Sequence, residues 1–326
     1  DQLGYDEAWI GEHHSAGWET IASPEVFIGV AAERTKNIML GTGVASLPYH
    51  HPLMLTNRMV LLDHLTRGRV MLGVGPGALV SDAYALGIPP NLQRPRMDEA
   101  IGIIKRLLTE TEPITYKSDW FTLNEALPHL QPYSRPHFPI AVAAAQSPSG
   151  MIAAGKHGLG VLSVSVIRGG NLTSNLAAFW AIAEETAEQY NQTVDRNEWR
   201  IVVHAHIAET KKEAFEQVRE KSAAYQYDYF HQTLGTPFEY DGPREKIVDY
   251  MVSNGAWCVG TPDDLISKIQ QLYELSGGFG GLMVQSTEWG TREQVRHSYE
   301  LIARYVMPHF QNSLRNLTTS QKWSEE

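Results

Sequence analysis

The chain carries titratable residues where apolar runs stop. "EHHSAGW" (12–18) places Glu12, His13 and His14 directly behind the run "AWIG", and "SLPYHHP" (46–52) sets a second histidine pair, His50 and His51, behind another. A third set, His204 and His206, lies in "RIVVHAHIA" (200–208). Imidazole titrates near neutrality, so a histidine at such a place suits general acid–base work. Pairs behind two successive runs favour chemistry over simple polar termination. A metal site is not expected. Adjacent strand residues point to opposite faces, so at most one of each pair can face a common ion, and "HAH" has no acid beside it.

A second kind of chemistry is anion binding. In "AAQSPSGMIAAG" (144–155), Ser147 suits an N-cap and Pro148 the first turn, which leaves the amides of Ser149 and Gly150 free for a phosphate at a helix start. "GVGPGAL" (73–79) is glycine-rich behind a strand, but has neither the GxGxxG spacing nor a GK[ST] end. Its glycines, Gly75 among them, suit close approach of a flat ligand to the backbone. Arg94 and Arg96, in "QRPRMDEA", stand before a helical pattern and offer a cation to the same phosphate.

These residues need a frame, and the hydrophobic pattern supplies one. Seven apolar, β-branched runs read as strands: 8–11, 38–47, 69–75, 139–145, 159–165, 200–208 and 281–286. Near-continuous hydrophobicity fits strands buried on both faces of a parallel sheet. Amphipathic helical stretches alternate with them, among them "SPEVFIGVAAERT" with Ser23 and Pro24 at its start and "TPDDLISKIQQLYEL" with a Thr261/Asp264 capping pair. This alternation predicts an α/β fold, either a TIM-type (β/α)8 barrel or a doubly wound sheet. "DQLGYDEAW" reads as a helix end running into a strand, so a further strand is expected before Asp1, which brings the count to eight. Residues 1–310 are expected to form one barrel domain, with long insert loops at about 116–138 and 230–260 and a loose polar tail at 311–326. The aromatic residues Tyr225, Tyr227, Tyr229, Trp257 and Trp289 suit an apolar ligand or a core.

Composition narrows the function classes. The 326 residues carry a net charge of -10 without a Lys/Arg run, which argues against nucleic acid or an anionic membrane as partner. The single cysteine, Cys258, permits no intrachain disulfide and fits a cytoplasmic setting. No apolar run is long enough to span a bilayer.

"GYDEAWIGEHHS", "LGTGVASLPYHHPLM", "LLDHLTRGRVMLGVGPGAL", "QRPRMDEAI" and "VGTPDDLI" stand in order, and the likeness continues through "SYELIARYVMPHFQ". Together they resemble the bacterial luciferase-like flavin-dependent monooxygenases, in particular the limonene monooxygenase-type subgroup. The resemblance implies a TIM-type barrel that takes reduced FMN from a separate flavin reductase. Dioxygen would add at the flavin's 4a carbon, and the hydroperoxide would oxygenate a small apolar substrate, a terpene or an aldehyde- or ketone-like compound. It also implies a homodimer. His13 falls on the family's reactive histidine, which leaves His14 to face away in a structural role. Arg94, Gln146 and Ser147 fall on the phosphate-binding positions, with Gln146 where luciferase has a glutamate; Ser149 and Gly150 join them. Gly75 stands where luciferase has a cysteine beside the flavin. Asp63 matches a family position and reads as structural. On the family pattern, about 35 residues holding the first strand and most of the first helix are expected before Asp1. Two alternatives stay open: a deazaflavin-dependent reductase or dehydrogenase on the same fold, and a non-catalytic flavin-binding protein.

Overall fold

A computed structural model describes residues 1–145, 147–164, 176–236, 238, 240–311 and 315–325. Its contacts gather into two compact units. The first comprises residue 1, residues 5–163 and residues 178–200; the second comprises 2–4, 164–177 and 201–326.

In the first unit the strands of the parallel sheet are β1 (Glu7–Ile10), β2 (Met39–Ser46), β3 (Val70–Gly75), β6 (Ile140–Ala144) and β7 (Gly160–Ser163). They pair in that order, and every neighbouring pair is parallel. The order follows the sequence without the reversal that marks a doubly wound sheet. All six residues of β3 are buried, as its unbroken apolar run "VMLGVG" requires of a strand covered on both faces. Helix α1 (Pro24–Arg34) connects β1 to β2, α2 (Pro52–Thr66) connects β2 to β3, and α5 (Ser149–His157) connects β6 to β7. A chain of βαβ units of this kind brings the carboxyl ends of all its strands to one edge, so the loops that follow them share a neighbourhood. Asp63, near the end of α2, is fully buried and accepts hydrogen bonds from the Ser134 amide and hydroxyl, both at 2.8 Å. It ties the helix to the segment leading into β6, the structural role expected of it.

Between β3 and β6 lie α3 (Val80–Ala85), α4 (Pro90–Thr109) and a hairpin of β4 (Ile114–Lys117) with β5 (Thr122–Ala126). The segment expected as an open loop from 116 is thus partly an antiparallel hairpin. Glu99 of α4 clips it down, accepting from Tyr116 Oη at 2.8 Å, Ser118 Oγ at 2.9 Å and Trp120 Nε1 at 2.6 Å. Phe121 and Leu123 bury against Ile103 and Leu107 of the same helix. Helix α6 (Leu176–Gln189) packs Trp180 against Trp199, the first residue of β8 (Trp199–Ile207), with ring centroids 4.9 Å apart.

The second unit holds most of β8 (Trp199–Ile207), α7 (Lys211–Ala224), a π-helical turn over Tyr225–Thr233, α8 (Ile247–Ser253), β9 (Trp257–Gly260), α9 (Pro262–Ser276), β10 (Gly281–Gln285), α10 (Arg292–Leu301), α11 (Met307–Phe310) and α12 (Arg315–Glu325). β9 pairs with β8 in parallel. Its residues Trp257 and Val259 join Trp289, Val218, Ile247 and Met251 in a buried cluster. The seven expected strands are all present, and β9 is an additional one inside the expected 230–260 loop. Four residues are too short to register as a period, and packing against α7 and α8 decides the matter. The tail expected to be loose is helical over Arg315–Glu325. The Thr261/Asp264 pair forms the expected capping box at the start of α9.

Candidate active site

Glu12, His13, His14, Glu19, Ser46, Tyr49, His50 and Asp82 all belong to the first unit, and each lies at or after a strand end or in the first turn of a helix. Glu12 follows β1 after Gly11 and is 3% exposed. Its carboxylate accepts from the Ser46 amide at 2.6 Å, His14 Nε2 at 2.8 Å and His50 Nε2 at 2.8 Å. Burial pushes the Glu12 pKa up, but the hydrogen bonds from His50, Ser46 and His14 outweigh it and hold it below the ordinary value. On the other side of the His50 ring, Nδ1 lies 3.1 Å from an Arg58 nitrogen. Guanidinium only donates, so Nδ1 accepts and the His50 proton sits on Nε2, facing Glu12. Arg58 in turn pairs with Glu25 of α1 at 2.8 Å. One buried carboxylate therefore fastens the ends of β1 and β2 together and connects them to α1 and α2.

His13 has a different pair of partners. Nδ1 lies 3.3 Å from Asp82 Oδ2, and Nε2 lies 3.2 Å from Glu19 Oε2. Carboxylates accept only, so this pairing favours the imidazolium form, with a proton on each ring nitrogen. Burial lowers its pKa, and the hydrogen bonds and charges of Glu19 and Asp82 raise it further than burial lowers it. Asp82, on α3, is 1% exposed and also accepts from the His14 amide at 3.1 Å and from the Ser15 hydroxyl. Tyr49 stands nearby, its ring edge-on to His14 at 5.9 Å, and its hydroxyl accepts from Gln93 Nε2 at 3.2 Å. Burial, then the charges of Asp82 and Glu12, push the Tyr49 phenol up to about 12, so it stays protonated. The His13 and His14 rings thus engage different buried carboxylates, Asp82 and Glu12, and the His14 ring is built into the strand-end fastening.

The other expected residues lie on β3, α4 and α5. Gly75 ends β3, and a Cβ there would come within 2.6 Å of Val44 Cγ2. Gly150 lies in the first turn of α5, where a Cβ would come within 2.5 Å of the Ala143 carbonyl oxygen. Only glycine allows that helix to sit this close on the end of β6. Helix α5 begins at Ser149 with Pro148 as N-cap, so Ser147 is one residue outside the cap expected for it. Its hydroxyl nevertheless meets that of Ser149 at 2.8 Å at the helix mouth. Gln146 lies outside the described residues. Arg94 does not precede a helix as expected: α4 starts at Pro90 and runs through Pro95. Proline fits the first position and, at 95, forgoes only the bond back to residue 91, so the helix continues. Arg94 is exposed. One turn further along α4, Asp98 pairs with Lys156 at 2.6 Å and His157 at 2.8 Å at the far end of α5. A helical turn rises 5.4 Å, so Arg94 stands about one turn before that contact along α4. Arg96 turns to the hairpin instead, its guanidinium 5.3 Å from the centre of the Trp120 ring.

His204 and His206 belong to the second unit. His206 Nε2 bonds Gln217 of α7 at 2.7 Å. His204 stacks on Trp289 at 5.2 Å within a shell of Tyr225, Phe230 and Trp257, and burial lowers its pKa to about 3, so it is neutral. Here Trp257 and Trp289 are core, and Tyr225 is half-buried against them. Among the described residues no group of three or more His, Cys, Asp or Glu side chains is arranged to hold a metal. Sequence reasoning missed Asp82 and Glu19. Asp82 is 69 positions from His13 and lies in a six-residue helix, with no local pattern to link the two. Glu19 is near His13 in sequence, but only the turn through Ala16 and Gly17, both at positive φ, brings it back onto the ring.

Residues 1–278 match the family model described as luciferase-like monooxygenase. The chain is 44% identical to 4-hydroxyprotoasukamycin monooxygenase of Streptomyces nodosus subsp. asukaensis, over 100% of this chain and 88% of that protein. It is also 44% identical to limonene 1,2-monooxygenase of Rhodococcus erythropolis, over 96% and 80%. Among solved structures, it resembles the oxygenating constituent of 3,6-diketocamphane monooxygenase of Pseudomonas putida, a type II Baeyer–Villiger monooxygenase in complex with FMN. The TM-score is 0.77 and the identity 26%, with 94% of this chain and 89% of that one covered. The expected α/β fold of the TIM-barrel type is matched through these relatives. The chain belongs to the luciferase-like monooxygenase family, and its enzymatic class is that of a monooxygenase.

Proposed function

We propose that this chain is the oxygenase component of a two-component system that uses reduced FMN and dioxygen to oxygenate a small apolar organic molecule, terpene-like or aldehyde- or ketone-like. The observation that carries the reading is the His13 ring, held between the Asp82 and Glu19 carboxylates at the strand-end edge that also carries Gly75 and Gly150. FMN, when bound and reduced, supplies the electrons that activate dioxygen. The residues present fit it. The Ser147 and Ser149 hydroxyls with the free amides of the α5 mouth suit the phosphate, and Arg94 adds an exposed guanidinium on the neighbouring helix. Gln146 is assigned to the same group from sequence. Gly75 is assigned to the flavin from sequence; in the fold its missing side chain makes room for Val44, which a Cβ there would meet at 2.6 Å. His13 supplies a proton at Nε2, and Glu12 with His14 and His50 keeps the strand ends rigid around it.

A separate flavin reductase delivers the reduced FMN; in support, the Pseudomonas relative is itself named an oxygenating constituent. The chain works as a homodimer. Val26, Phe27 and Val30 on α1, with Met54, Leu61 and Leu65 on the adjoining α2, are all about half exposed or more, and a second copy would cover them. The proposed location is the cytoplasm. No helix among the described residues is long and apolar enough to cross a membrane. The test is oxygen uptake by the protein with photoreduced FMN and a panel of cyclic terpenes and ketones. Uptake coupled to one oxygenated product supports the reading. Hydride transfer from a reduced deazaflavin without oxygen uptake overturns it in favour of the reductase alternative.

A further inference from the structure

We propose that Asp82 is the positioning residue that holds His13 in its working orientation, and that Glu19 is an exchangeable carboxylate whose place at Nε2 is taken by the reacting oxygen. This rests on the reading of His13 as the proton donor and goes beyond it by assigning the two faces of the ring.

The two carboxylates are not equivalent. Asp82 is 1% exposed and is fixed by the His14 amide and the Ser15 hydroxyl as well as by His13 Nδ1. Glu19 has a side chain 36% exposed, and its ion pair among the described residues is with His13 alone. Its backbone has φ of +48° in a turn where Ala16 has +69° and Gly17 +75°, a left-handed region that residues with a Cβ seldom adopt. Its Oε2 folds over the end of β1, 3.4 Å from where a Gly11 Cβ would stand. A well-held carboxylate thus faces Nδ1, and a loosely held one faces Nε2.

An anionic oxygen approaching Nε2 meets the Glu19 carboxylate, a like charge, and displaces it toward solvent. Asp82 stays in place, so the ring does not turn. The Nε2–H bond then breaks and an O–H bond forms on the reactant, leaving a neutral imidazole whose remaining proton sits on Nδ1, toward Asp82. Water restores the Nε2 proton after the product leaves, and Glu19 returns. Charged and titratable groups on the elements around this ring are Asp82 on α3, Glu19 in the turn, and, one step further out, Glu12, His14 and Tyr49. The His14 ring is committed to Glu12 and the Tyr49 hydroxyl to Gln93, so neither competes for His13.

The direct test is nitrogen NMR of the isotopically labelled full-length protein through the His13 titration. Above that titration, the neutral ring should keep its proton on Nδ1, opposite to the tautomer that free imidazole side chains prefer. An Nε2-protonated neutral ring overturns the proposal without any variant. Kinetics give the second arm. Asp82→Asn should lower kcat on the order of 10²-fold with reduced-FMN binding retained, and Asp82→Glu should recover part of the loss. Glu19→Gln should act in the opposite sense, with a lower substrate KM and an alkaline limb moved down by about one pH unit. If His13→Ala uncouples the enzyme while Asp82→Asn behaves as wild type, the orientation argument fails and the role of His13 stands. If His13→Ala itself retains coupling, both fall together.

Discussion

Replacing Glu12 by Gln removes one negative charge from the most connected point of the site while nearly preserving its shape. The carboxylate accepts from the Ser46 amide, His14 and His50 at 2.6–2.8 Å, with no access to water. A glutamine keeps one accepting oxygen and turns an amide donor toward the rest, so at least one of these donors faces another donor. A hydrogen bond to a charged group contributes about 1.5–3 kcal/mol, and a stranded buried donor costs about 1–3 kcal/mol more. The expected loss is about 3–5 kcal/mol. The pH dependence has a definite sign. The Glu12 pKa in the fold lies below its ordinary value of 4.5, so its stabilisation is fully present above 4.5 and is lost as pH falls through the lower, folded value. The assay is urea unfolding at pH 7 and at pH 4, followed by the signal of the transition that includes β1 and β2. Glu12→Gln should lower the midpoint at pH 7 and flatten the acid dependence. A wild-type midpoint at pH 7 would show that Glu12 is not the fastening inferred from its bonds.

His13→Ala should retain reduced-FMN binding yet divert oxygen to hydrogen peroxide, with product formation falling roughly 10²–10⁴-fold, or about 3–5 kcal/mol of barrier; product per FMN consumed is the readout. Arg94→Ala should weaken binding of reduced FMN more than that of reduced riboflavin, which lacks the phosphate, as measured by anaerobic titration; equal weakening of both would detach Arg94 from the phosphate. His204→Phe should make the protein more resistant to acid. Its neutral, buried form has a pKa near 3 against an ordinary 6.5, so wild type loses stability as pH falls through that window and the variant does not.

The fold was legible where the pattern was long. Runs such as "VMLGVG" are apolar at every position because both faces are covered, and that signal survives without any knowledge of neighbours. β9 escaped because "WCVG" is four residues whose strand state depends on α7 and α8 packing over it. The hairpin at 114–126 escaped because its anchor is Glu99, on a helix some 17 residues earlier in the case of Tyr116. Within the proposed site, His13, Ser147, Ser149, Gly150 and Gly75 were singled out by residue type at a strand end together with the family resemblance. The carboxylates that set the His13 charge were not. Asp82 is brought to the ring by the βαβ path through β2 and β3, and nothing local records that distance. His14 shows the same limit from the other side: alternation assigned it an opposite face from His13, but not the buried Glu12 waiting there.

The central claim, that this chain transfers oxygen from dioxygen to an apolar substrate using reduced FMN, is tested most directly with isotopically labelled oxygen gas. The purified protein is supplied with photoreduced FMN and a cyclic terpene or ketone, and the product is weighed by mass spectrometry. Incorporation of one labelled oxygen atom per product molecule is the predicted result. A reduced or dehydrogenated product carrying no label, formed equally well without oxygen, would contradict the account.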